Sequence, residues 1–168
     1  MSDNLYSFSV PLFIHHFEIL SKILKKGERY ANKKQIDAEV FVNARLIADM
    51  FPLARQIQIA TDMVRLGMGR MAGKKAPAFK DNEKTFDQLD KRIQKTILFL
   101  KKITPKDLEG AELSPIEFSI RTNNFHFKNG EQYLKDWIIP HFFFHMTTTY
   151  NILRINGVNL GKRDFVKF

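Results

Sequence analysis

From Trp137 to Leu153 the chain runs for seventeen residues without a charged side chain, and no other feature constrains the fold as much. A run of that length sits at the lower limit for a membrane-spanning helix. It also contains Pro140, His141, His145, three threonines and Asn151, each costly in hydrocarbon. No membrane span is therefore expected. The run reads instead as the middle of a helix from Glu131 to about Asn156 that is enclosed by other helices. Asn156-Gly157 closes it as a C-cap, and Pro140 should kink it or lie in its early part.

A helix of this kind needs apolar partners, and the periodicity of the rest of the chain supplies three. At 100° per residue, Val10, Phe13, Phe17, Leu20, Ile23 and Leu24 gather on one face between Ser9 and about Lys26, with Ser9 as a cap ahead of Pro11. His16 falls at the edge of that face and His15 towards solvent. From Pro52 to Met71, Leu53, Ile57, Ala60, Val64, Gly67 and Met71 line one side, and Arg55, Gln58, Asp62 and Arg65 line the other. Gly67 on the apolar side lets a neighbouring helix approach closely. The segment GKKAPAFKDN reads as an exposed connection. A third helix, Glu83 to Ile103, buries Phe86, Leu89, Ile93, Ile97 and Leu100, and Thr104-Pro105 stops it. Strict alternation in Ile116–Arg121 and again in Phe125–Phe127 marks a small hairpin. The fold expected from the residues is one all-α domain over 1–168, an antiparallel four-helix bundle with the hairpin between helices 3 and 4.

Composition excludes several functions. With 168 residues and no cysteine, disulfide scaffolds, thiolate zinc sites and thiol nucleophiles are ruled out. The opening MSDNLYSFSVPLFIHH has no basic residue ahead of its apolar stretch, so it does not read as a secretory signal and a cytoplasmic protein is expected. The formal charge of +9 raises nucleic acid as a partner. The bases, however, are spread over every segment and no nucleic-acid motif accompanies them, so a basic soluble surface is the better reading. Gly-rich phosphate loops, G-x-S-x-G elbows and H-E-x-x-H motifs are all missing.

The sharpest local feature is HFFFH. His141 and His145 lie one helical turn apart, with Thr148 beside them, forming a polar stripe on an apolar helix. Such a stripe must be met by a ligand, a water network or hydrogen bonds from neighbouring helices. The pair therefore reads either as the start of a divalent metal site, zinc or nickel, or as two packed histidines that donate to backbone or side-chain acceptors. His16 is the best third ligand by wheel geometry. Arg45 and Asp49 are spaced to pair if their segment is helical, and Phe165 and Phe168 are expected to dock on the bundle or at a dimer contact.

NARLIADMFPLARQIQIATD (Asn43 to Asp62), HFFFHMTTTYNILRINGVNLGKRDF (His141 to Phe165) and the LYSFSVPLF opening resemble a domain-of-unknown-function family grouped with the DinB/YfiT-like metalloenzymes. The resemblance covers nearly the whole chain. It implies a four-helix bundle, often dimeric, in a superfamily of thiol-dependent transferases and hydrolases. There a divalent metal is typically held by one histidine of the second helix and an H-x-x-x-H pair of the fourth. His141 and His145 match that pair. The second helix has no histidine, and Met63 lies about where one would be. The implied function is a small-molecule site lined by His141, His145, Thr148 and His16, with metal-dependent transfer or hydrolysis as its chemistry. The alternative is a non-catalytic homodimer whose histidine pair is structural.

Overall fold

The computed structural model describes residues 2–166, with side chains from Leu5 onward; Phe168 lies outside the described residues. The fold is mostly helical with one small antiparallel sheet. In chain order come α1 (Ser2–Ser7), α2 (Val10–Lys34), α3 (Ala38–Val42), α4 (Leu53–Met71), α5 (Phe86–Leu100), a 3-10 turn (Pro105–Leu108), β1 (Ile116–Ile120), β2 (Asn123–Phe127), α6 (Gly130–Tyr133), a π turn (Leu134–Ile138), α7 (Ile139–Ile155) and α8 (Lys162–Phe165). Helix α2 packs on α5 and α7, and α4 packs on the same two. The apolar stripes read from the sequence meet in the middle. Phe142 of α7 packs edge-on against Phe13 and Phe17 of α2 at 5.4 and 4.9 Å. Each such ring contributes roughly 1.5–3 kcal/mol on burial.

Helix α2 starts without the expected cap. Ser9 is buried, and its hydroxyl donates back to the Leu5 carbonyl at 2.6 Å. The cap expectation fails because α1 precedes α2 and turns the hydroxyl towards its own last carbonyls. Pro11, in the first turn, needs no N–H partner there. The last long segment is continuous from Gly130 to Ile155, and Pro140 lies in the first turn of α7 just after the π turn. The Ile139 N–H reaches five residues back to the Leu134 carbonyl. The widened turn takes up the missing donor and ring clash that a proline brings to a regular helix. At the other end Gly157 takes φ +89°, as the Asn156-Gly157 signal implied.

Gly67 makes the close approach expected of it. A Cβ there would stand 2.5 Å from Ile138 Cδ1, so α4 and the π turn touch through a glycine. The hairpin pairs Ile116 with Phe127 and Ile120 with Asn123, and its Phe118, Phe125 and Phe127 rings pack against Trp137. His126 points out and pairs with Glu117 across the strands at 2.9 Å.

Two charged regions depart from the wheel. Arg45 does not pair with Asp49: its segment is not helical, and the guanidinium donates to the Met50 carbonyl at 2.5 Å. Gln58 and Arg65, assigned to the solvent side of α4, are buried, as is Arg92 of α5. The segment Gly73–Asn82 is largely exposed itself, yet it lies across these residues as a strap. Arg65 donates to the Pro77 carbonyl, the Phe79 ring sits against Arg65 and Arg92 at 4.5 and 5.0 Å, and Gln58 donates to Glu83 at 2.9 Å. Asp62 accepts from Arg65 at 2.7 Å and Arg92 at 2.8 Å. A helical wheel shows the charge on the residue but not the loop that folds over it.

At the C-terminus α8 docks on α2, with Asp164 bonded to Lys26 at 2.5 Å and Phe165 edge-on to Tyr150 at 5.9 Å.

Candidate functional site

His145 is 7% exposed, on the face of α7 that meets α4. Its Nδ1 donates to the Gln56 side-chain oxygen at 2.7 Å, while the Gln56 amide nitrogen donates to the Phe51 carbonyl at 2.9 Å. That second bond fixes which end of the amide faces the ring, and the tautomer follows from the network: the proton is on Nδ1 and the lone pair on Nε2. Nε2 has no partner among the described residues and is not one of the sealed polar atoms. Burial above all, then the neighbouring His141 and Arg55, pushes the His145 pKa down to about 4. The ring is therefore neutral at pH 7, with one uncommitted acceptor.

His141, one turn earlier and half-buried, donates its Nδ1 to the Trp137 carbonyl at 2.8 Å and packs on the Trp137 ring at 4.2 Å. Thr148 is buried and its hydroxyl returns to the Phe144 carbonyl at 2.8 Å, while Thr149 bonds the His145 carbonyl at 2.9 Å. The polar stripe is thus met by its own helix, by Gln56 and, at two Nε2 atoms, by no group among the described residues.

His16 lies on the other flank of α7. Its Nδ1 donates to the Leu12 carbonyl at 2.9 Å and its ring stands edge-on to Phe143 at 4.8 Å. Burial lowers its pKa as well. Among the described residues no three His, Asp or Glu side chains come together as a metal-holding group, so His16 is not brought to the pair.

Gln56 is the residue that sequence reasoning missed. It falls on the apolar face of α4 with Leu53, Ile57 and Ala60, and an amide placed there must find a buried partner. Arg92 carried the same signal on the buried face of α5, beside Leu89, Ile93 and Thr96.

The profile described as a domain of unknown function (DUF1993) matches residues 5–166. The chain belongs to the DUF1993 family. The crystal structure of a DinB family member protein from Shewanella denitrificans is similar to it, at 34% identity and a TM-score of 0.89, over 99% of this chain and 94% of that one. No curated protein matches. The family match and this neighbour place the chain among DinB-like proteins; the metal site expected from the resemblance takes a third imidazole from the second long helix. In this DUF1993 chain the group facing His145 from α4 is Gln56, not Met63, which lines a cleft beside Trp137. The Gln56 oxygen is already occupied by the His145 Nδ1 proton. The residues present do not fit a three-ligand site.

No helix among the described residues is long and apolar enough to cross a membrane.

Proposed function

We propose that this DUF1993 protein, as an antiparallel four-helix bundle of DinB/YfiT type, binds a small molecule at the His141/His145 pair without a resident metal. The observation that carries the reading is the Gln56–His145 bond: it fixes a neutral imidazole with Nε2 uncommitted. A ring with a pKa of about 4 is a poor general base near neutrality, since the best catalytic pKa lies near the working pH. It is a good fixed acceptor for an N–H or O–H of a ligand, and His141 offers a second one a turn away. Arg55, which is paired with Asp81, is close enough to affect the His145 pKa. Recognition, not proton transfer, is the chemistry this pair supports.

The deciding test is elemental analysis after challenge with zinc and with nickel, followed by dialysis. Well under one tenth of an equivalent is expected. Near one equivalent, lost in His145→Ala, would overturn the metal-free reading and restore a metal-dependent transferase or hydrolase.

A second reading is favoured by a separate observation. Phe144, which lies between the two histidines, and Phe51, whose carbonyl accepts from Gln56, are 57% and 55% exposed, as an interface would have them. In that reading the chain is a homodimer and the histidines are structural. Sedimentation at micromolar concentration, wild type against Phe144→Ser, distinguishes the two: a dimer that Phe144→Ser dissolves supports it, and a monomer in both removes it.

A further inference from the structure

Between α4 and the hairpin lies a cleft of about 290 Å³ whose floor is Ile59, Met63 and Leu66 and whose walls are Phe118 and Trp137. Arg70, at the end of α4, closes one side. Its guanidinium lies over the Phe118 ring at 4.1 Å and its Nη1 donates to the Tyr133 hydroxyl at 2.7 Å. The charge is unmatched, unlike that of the other arginines around it. Arg55, Arg65 and Arg92 are met by Asp62, Asp81 and Glu83, whereas Arg70 has no carboxylate among the described residues and its other N–H groups have no protein partner. Asp62, which also lines the cleft, is held by two arginines and so offers little repulsion to an anion.

We propose that this cleft binds a small planar aromatic carboxylate, its ring between Trp137 and the apolar floor and its carboxylate on the free edge of Arg70. The volume is at the lower end of the range for ligand sites, so one ring system and a short acid fit while a nucleotide does not. The fork of an arginine already oriented by a phenol and an aromatic face accepts a carboxylate with little ordering cost. The site is centred on Arg70; it shares Trp137 and Arg55 with the surroundings of the histidine pair, but neither histidine lines it.

The single tryptophan of the chain reports on the cleft directly. The probe pair is 4-nitrobenzoate, a fluorescence quencher, and 4-nitrobenzamide, of the same shape without the charge. Saturable quenching of Trp137 by the acid is expected, with the amide at least about tenfold weaker, as for a lost charged hydrogen bond. Arg70→Gln should weaken the acid by about the same factor. Met63→Phe, which narrows the floor and leaves the charge, should weaken both probes. His145→Ala should change neither, so the histidine reading and this one fail separately. Quenching that is linear and equal for the two probes, or unchanged in Arg70→Gln of wild-type thermal stability, overturns the proposal.

Discussion

At the scale of single residues, Gln56 and His145 determine what the centre of the molecule can do. Gln56 is 1% exposed and satisfies two groups that would otherwise be orphaned, the His145 Nδ1 proton and the Phe51 carbonyl. Gln56→Leu should therefore destabilise by about 1–3 kcal/mol, as each unsatisfied buried polar group costs, measured by urea denaturation. The same burial makes stability pH-dependent with a definite sign. The His145 pKa falls from 6.5 in the unfolded chain to about 4 in the folded one, so above pH 6.5 neither state binds the proton and the term is absent. As the pH drops below 6.5 the unfolded state takes up a proton that the native ring refuses. Stability then falls until about pH 4, by at most roughly 3 kcal/mol, and His16 acts in the same direction. Thermal unfolding from pH 7 to pH 4 should show this slope, and His145→Leu should flatten it.

At the scale of elements, two contacts were legible in different degrees. Gly67 could be read as a point of close approach because it interrupts an apolar stripe, but that Ile138 fills the space depends on the π turn. Gly67→Ala gains up to about 1 kcal/mol of helix propensity and loses about 1–3 kcal/mol by overpacking Ile138. A net loss is expected, and Ile138→Val, which removes the Cδ1 atom, should recover part of it in the double variant. The strap over α4 and α5 was not legible at all. Its residues are the Gly, Lys, Pro and Asn of any loop, and what holds them is Arg92, with a side chain 2% exposed that reaches Asp62, Asp81 and Glu83. Arg92→Met removes the cation these carboxylates share; Asp62 keeps Arg65 and Asp81 keeps Arg55, while Glu83 has no other cation among the described residues, so a cost of about 1–3 kcal/mol is expected. Trypsin should then cut faster at Lys74, Lys75 and Lys80, while loss of stability with unchanged cleavage there would argue against a strap held by Arg92.

For the whole molecule, the strap also redistributes the charge. Arg65, one of five basic residues between Met63 and Lys80, is buried, so those five do not form a continuous cationic face. Binding to heparin should be weak and abolished at moderate salt, and retention with a steep salt dependence would contradict this. The four long helices and the hairpin among the described residues follow from periodicity, since which residues share a helical or strand face depends only on their spacing. Where helices cross, and what lies over them, depends on contacts between residues far apart in the chain. That difference separates what was readable from what was not. The sequence alone determined the helical stripes, the turn of His141 and His145 onto one side of α7, and the lack of a histidine in α4. Only the tertiary structure decided that Gln56 faces His145, that His16 goes to the opposite flank, and that Arg70, beside an aromatic cleft, has no carboxylate among the described residues. Each of these is a pairing between side chains on different elements, and no local pattern encodes it.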